Sequence, residues 1–251
     1  MMIVPRRKDA YHKAQLFRLL VEIIDNEDIS SQLCFKGGTC AAMLGFLDRF
    51  SVDLDFDLLE GADRKLLRPK FHQVFRGLGL GLKDESQTTL QFLLRYEART
   101  DERNTIKLDI LDQGFKHNIC KAQHLLEIDR FMNCQTIETM FANKMVSLLD
   151  RYEKNKSIAG RDVYDIHHFF LQGYSYRPEV IKERRGAEVG DFLKELIEFI
   201  EQKVTQTIIN QDLNTILPKE KFDQIRKVIK NETLTLLRDE LKRFGRGDWC
   251  S

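Results

Sequence analysis

Residues 48–61, DRFSVDLDFDLLEG, set Asp48, Asp53, Asp55 and Asp57 close together, the last three alternating with apolar residues. Side chains on a strand point alternately to its two faces. Val52, Leu54, Phe56 and Leu58 therefore turn toward a core, while Ser51, Asp53, Asp55 and Asp57 share the opposite face. Like charges on one strand face cost roughly a few tenths of a kcal/mol per neighbouring pair. Either water solvates them or a cation recruits them. Mg²⁺ is a hard cation held by one or two carboxylates plus substrate phosphates, which suits this face. A second strand candidate, TIKLDIL at 105–111, has Ile106, Leu108 and Ile110 on its apolar face and Lys107 and Asp109 opposite. If the two strands are neighbours with matching faces, Asp109 joins Asp53 and Asp55. Three carboxylates from two strands can hold two metal ions about 3.5–4 Å apart, clamping the attacking and leaving oxygens of phosphoryl or nucleotidyl transfer.

Upstream lies the turn Lys36-Gly37-Gly38-Thr39. Its glycines let the backbone approach a ligand closely. Thr39 is placed to cap a helix whose free N–H groups and positive dipole end favour an anion such as a triphosphate. Alone this is a turn before a helix. Followed by an acidic strand, it is half of a phosphate-and-metal site.

These residues need a scaffold, and the periodicities supply one. Residues 9–25 repeat apolar positions at helical spacing. LCFK reads as a short strand, TCAAMLGFL as a helix, and 64–80 as a helix with Pro69 in its first turn or at a break. TLQFLLRYEAR and TIKLDILD are strands joined by the polar turn TDERN. From about Thr136 the pattern is helical throughout, over 136–152, 161–171, 178–184, 188–209 and 219–243. The fold class is α+β: a small mixed or antiparallel sheet in residues 1–133, followed by an α-helical half in 134–251.

The chain of 251 residues is 42% hydrophobic and 31% charged, with 40 Lys plus Arg against 39 Asp plus Glu. That balance is an ordinary globular one and excludes a binder driven by bulk charge. The N-terminus lacks a signal-peptide core, and no apolar run is long enough for a membrane. Cys34, Cys40, Cys120, Cys134 and Cys250 are scattered without a CxxC pair. They read as free thiols in a reducing compartment, which predicts a cytoplasmic protein.

The string FKGGTCAAMLGFLDRFSVDLDF resembles the AbiEii/AbiGii-type nucleotidyltransferase toxins of type IV toxin–antitoxin systems, within the polymerase-β-like nucleotidyltransferase superfamily. The resemblance runs from roughly residue 10 to 172. It rests on Gly37-Gly38-Thr39, on Arg49 to Phe56, on Asp109, and on Lys144 followed by RDVYD at 161–165. It implies a polymerase-β-like core, with the helical half completing the nucleotide pocket. Asp53, Asp55 and Asp109 would hold Mg²⁺ or Mn²⁺, Asp109 alternatively serving as general base. Lys36, Gly37, Gly38, Thr39, Arg49, Ser51 and Lys144 would bind the NTP, and Asp162 or Asp165 would complete the pocket. The expected activity is transfer of NMP from an NTP to an acceptor hydroxyl, RNA or a tRNA end, restrained by a cognate antitoxin. A small-molecule nucleotidyltransferase of the antibiotic-modifying type and a non-catalytic nucleotide-binding module are the alternatives. Asp57 lies outside the family pattern, as does everything after residue 175.

The helical half offers its own reading of Lys144. It falls inside the apolar stripe of Ile137, Met140, Phe141, Met145, Leu148 and Leu149. Such a lysine either snorkels outward or faces an anionic cleft. Asp162 suits the positive end of its helix as well as it suits catalysis, and Arg49 suits carboxylate or phosphate equally. His167 and His168 have no partner at metal-ligand spacing and read as structural.

Overall fold

A computed structural model describes residues 2–112 and 114–246, and the chain divides into unit 1, Met1–Thr136, and unit 2, Ile137–Ser251. In chain order unit 1 contains α1 (Asp9–Asp25), α2 (Glu27–Ser30), β1 (Leu33–Lys36), α3 (Gly37–Met43), β2 (Leu54–Leu58) and α4 (Arg64–Gly77). It continues with β3 (Gly81–Glu85), β4 (Leu90–Arg95), β5 (Thr105–Leu111), β6 (Cys120–Leu125) and β7 (Arg130–Gln135). The strands form one mixed sheet in the order β3-β4-β5-β2-β1-β7-β6. β2 runs parallel to β5 and antiparallel to β1, and β1 runs parallel to β7. The sheet buries Phe35, Leu54, Phe56, Phe92, Leu108 and Ile110, with Leu16, Leu19, Leu20 and Ile23 of α1 also in the core.

Three strands of this sheet lack the alternation that reveals strands. β3 is almost wholly exposed, β6 is a polar edge, and β7 mixes burial irregularly. β2 is shorter than the 51–58 pattern, so Ser51 and Asp53 sit in the extended segment leading into it. Thr39 does not cap α3: Lys36 holds that position, and the Thr39 hydroxyl donates instead to the Asp53 carbonyl.

The cysteines depart from expectation. Cys34 of β1 and Cys120 of β6 form a disulfide, with Cα atoms 6.2 Å apart. Cys40 and Cys134 are free and buried. Burial and the adjacent Cys134 push the Cys40 thiol well above its ordinary pKa, which makes it a packing residue. Cys250 lies outside the described residues.

Unit 2 contains α5 (Ile137–Asn155), α6 (Gly160–Leu171), α7 (Pro178–Arg185), α8 (Val189–Lys203), α9 (Gln206–Leu213), α10 (Lys219–Ile225) and α11 (Ile229–Arg246). The single helix expected over 188–209 breaks where Thr205 accepts a hydrogen bond from the Ile208 amide, starting α9 afresh. The pattern over 219–243 likewise divides into α10 and α11. Among the described residues no helix is long and apolar enough to cross a membrane.

Candidate active site

Three strand registers set the site in unit 1. Asp55 of β2 is the Cα partner of Asp109 of β5, on parallel strands roughly 4.8 Å apart. Lys36 of β1 is the partner of Asp55, and Gln91 of β4 is the partner of Asp109. Gln91, Asp109, Asp55 and Lys36 thus form one rung across four neighbouring strands, all on one face.

The rung is tightly furnished. Asp109 is 8% exposed. Its Oδ1 accepts from Gln91 Nε2 at 2.8 Å and its Oδ2 from Lys107 Nζ at 2.8 Å. Burial lowers the Lys107 pKa, but the Asp109 hydrogen bond and the charges of Asp109, Asp55 and Asp53 outweigh it, so Lys107 titrates above its ordinary value. One amine therefore answers three acids.

Asp57 belongs to a different arrangement. Its carboxylate accepts from Lys36, from Gln135 Nε2 at 2.6 Å and from Asn118 Nδ2 at 3.4 Å. It is 8% exposed, and its acceptor capacity serves β1, β7 and the segment before β6. The extra carboxylate of the DLDFD pattern holds Lys36 in place.

The glycine turn packs against this rung. Gly37 has φ +78°, a conformation only glycine adopts cheaply. A Cβ there would lie 2.5 Å from Asp55 Oδ2. A Cβ at Gly38 would lie 2.6 Å from a guanidinium nitrogen of Arg49 and 2.9 Å from Ser51 Oγ. The turn is glycine-rich because Asp55, Arg49 and Ser51 occupy the space where side chains would stand. Lys36, Gly37, Gly38, Arg49, Ser51 and Asp55 are thereby gathered at one place, with Thr39 tied to Asp53 beside them. Arg49 is 2% exposed and donates to the Phe50 carbonyl at 2.9 Å.

Sequence reasoning missed Gln91, Gln135, Asn118 and His12. His12 of α1 is buried, its Nδ1 2.6 Å from the Tyr96 hydroxyl and its Nε2 2.9 Å from the Val52 carbonyl. It braces the backbone one residue before Asp53, and burial lowers its pKa. A histidine in phase with Leu16, Leu19 and Ile23 on α1 was the available signal.

Unit 2 holds a second charged cluster. Lys144 Nζ of α5 lies 2.8 Å from Asp162 Oδ1 and 2.9 Å from Asp165 Oδ2 of α6. Arg151 adds a contact to Asp162 Oδ2 at 3.5 Å. Both aspartates are fully buried and Lys144 is 18% exposed. Burial alone would raise the Asp162 pKa, but the Lys144 and Arg151 charges hold it below the usual carboxylate value. Lys144 neither snorkels nor stands in an apolar stripe unaccompanied; it is clasped by two acids of the neighbouring helix. His167 is 2% exposed with Nε2 2.8 Å from Glu232, tying α6 to α11.

The carboxylates suit a hard cation only with help. Among the described residues no three His, Cys, Asp or Glu side chains stand ready as a ligand set. Asp55 and Asp109 form a juxtaposed pair of oxygen donors, and two protein carboxylates completed by substrate oxygens is how Mg²⁺ is usually held. The donor set fits that ion.

No curated protein matches the chain significantly. Solved structures do. One from H. pylori, described as a candidate nucleotidyltransferase, aligns with TM-score 0.64 at 18% identity, covering 98% of this chain and 100% of that one. JHP933 from Helicobacter pylori aligns with TM-score 0.57 at 18% identity, covering 98% and 100%. MenT4, a nucleotidyltransferase toxin from Mycobacterium tuberculosis H37Rv, aligns with TM-score 0.52 at 15% identity, covering 94% and 87%. At such identities the likeness concerns the fold. The family model described as nucleotidyl transferase AbiEii toxin, type IV toxin–antitoxin system, matches residues 18–228. Most of the chain lies in that match, and the protein belongs to the AbiEii nucleotidyltransferase toxin family.

Proposed function

We propose that unit 1 binds an NTP with Mg²⁺ or Mn²⁺ and transfers NMP to a hydroxyl of RNA, with a tRNA end as the preferred acceptor. The observation that carries this reading is the Asp55–Asp109 pairing with the Gly37 backbone packed onto Asp55. Asp53, Asp55 and Asp109 are the metal ligands in this proposal, and Lys36, Gly37, Gly38, Thr39, Arg49 and Ser51 line the phosphate side. A divalent ion bound there supplies charge neutralisation for the phosphates and lowers the pKa of an acceptor hydroxyl. Asp109 is held in orientation by Gln91. Asp57 accepts from the Lys36 ammonium, whose Cα partner across the strands is Asp55.

In unit 2, Lys144 is proposed as a contact for an anionic ligand, a cation fixed by Asp162 and Asp165 that retains 18% exposure. Its aspartates act by holding it. As a toxin-family member the protein is expected to be restrained by a cognate antitoxin and to act in the cytoplasm, where NTPs and Mg²⁺ are abundant.

The test is incubation with each labelled NTP and Mg²⁺, offering total RNA, purified tRNA or a panel of hydroxylated small molecules. Label in RNA that vanishes with Asp55→Asn is the expected result. Label only in a small molecule would move the assignment to the antibiotic-modifying type. Nucleotide binding without transfer to any acceptor would make the protein a binding module.

A further inference from the structure

The acidic rung carries its own cation. Lys107 stands two residues before Asp109 on β5, on the same face, with Nζ 2.8 Å from Asp109 Oδ2. Its side chain is 51% exposed, while that of Asp109 is 11% exposed. The other Asp109 oxygen is taken by Gln91, which is neutral. The two partners therefore play unequal parts. Gln91 fixes the carboxylate's orientation without changing its charge. Lys107 adds a positive charge beside Asp53, Asp55 and Asp109, and occupies an oxygen that the proposed metal needs.

We propose that Lys107 is a tethered competitor of the metal: its ammonium pairs with Asp109 in the metal-free protein and must leave it when a divalent cation binds. This rests on the metal-dependent reading above and adds a control to it. The stem of a lysine is flexible and its charge is compact, so departure needs only rotation of exposed methylenes. A displaced ammonium then stands close to the bound ion, which repels it unless an anion lies between. A metal ion arriving with a nucleotide brings that anion; a bare ion does not. Lys107 thus biases the site toward metal–nucleotide complexes and against free cation.

The experiment measures Mn²⁺ affinity by electron paramagnetic resonance, and melting temperature with EDTA, for wild type, Lys107→Met, Lys107→Gln and Lys107→Arg. Both neutral variants should bind free Mn²⁺ about fivefold tighter, the factor a partly exposed ion pair commands. Both should also melt lower than wild type in EDTA, because Asp109 has lost its paired cation. Lys107→Arg should resemble wild type. Equal or weaker Mn²⁺ binding in the neutral variants, with wild type binding normally, overturns the competitor role and leaves the metal-dependent reading standing. No Mn²⁺ binding by any of the four proteins, either alone or with a non-hydrolysable NTP present, overturns both.

Discussion

Two clusters of opposed charge occupy this chain, and they solve the same problem differently. In unit 2, Asp162 and Asp165 are fully buried against Lys144, with Arg151 added. Two acids meet two bases there. In unit 1, half-exposed Lys107 pairs with Asp109, and the charges of Asp55 and Asp53 also act on it. Solvent reaches the base there. A balanced, buried cluster positions helices and the groups within it. The cluster whose base is open to solvent is the one proposed to take a cation from outside.

The largest expected effect breaks the unit 1 side of this comparison. Asp55→Asn should reduce nucleotide transfer by about a thousandfold, as loss of a metal ligand removes several kcal/mol of transition-state stabilisation. The metal-free protein should melt at the same temperature or higher, since one repelling charge is gone. A variant that loses activity and also unfolds in EDTA would mark Asp55 as structural. Next, the corresponding cut in unit 2 should do the reverse. Lys144→Met removes the cation clasped by two buried carboxylates, and should cost about 3–5 kcal/mol in urea unfolding. A neutral or stabilising result would show that the cluster tolerates loss of its centre, and that Lys144 is retained for ligand contact alone.

A smaller effect concerns how each unit is tied together. Unit 1 has a covalent link between β1 and β6 spanning a sequence separation of 86. Replacing Cys34 and Cys120 by serine, or reducing them, should cost about 2–4 kcal/mol. The loss should appear as faster amide exchange in β1 and β6; unchanged exchange would show that the sheet holds without the link. The smallest effect sharpens the unit 2 side. The folded Asp162 pKa lies below its ordinary value of 3.8. As pH falls, the unfolded chain takes up that proton first, so the contribution of Asp162 is complete above 3.8 and is lost as pH drops toward the folded value. One proton gives a slope of at most about 1.4 kcal/mol per pH unit. Stability measured from pH 5 to pH 2.5 should show an acid-limb slope that Asp162→Asn reduces; an equal slope in both proteins would remove Asp162 from that limb.

The comparison also shows where sequence stops being legible. The alternation in residues 51–58 and 105–111 identified the strands that matter, and the matched faces brought Asp109 to Asp55. α1 was readable to its ends because its stripe is continuous. Other elements had no such stripe. β3 and β6 lie at the sheet edges with polar faces outward, so nothing in their residues alternates. Missing β6 and β7 concealed the fate of Asp57, whose partners Asn118 and Gln135 lie in or beside those strands. It also concealed the disulfide, because Cys34 and Cys120 become neighbours only when β7 brings β6 close to β1. Lys144 stood out as a lysine in an apolar stripe, but its two partners lie on another helix and no local pattern announces a buried triad.

The rung through Gln91, Asp109, Asp55 and Lys36 ties catalytic competence to folding fidelity. A strand slipped by one residue keeps much of its backbone pairing and sends every side chain to the opposite face. In β5 that slip would turn Asp109 into the core and present Leu108 or Ile110 to the ligands. β2 and β5 are parallel and far apart in sequence, so their register is fixed late, by long-range contacts that form slowly. Refolded protein is therefore expected to include a compact, inactive fraction, visible as specific activity below that of natively produced protein at equal helical content. Equal specific activities would show that the register is set without error. Where a site is assembled from one residue on each of four strands, a single misaligned strand makes a folding error and an inactive enzyme the same event.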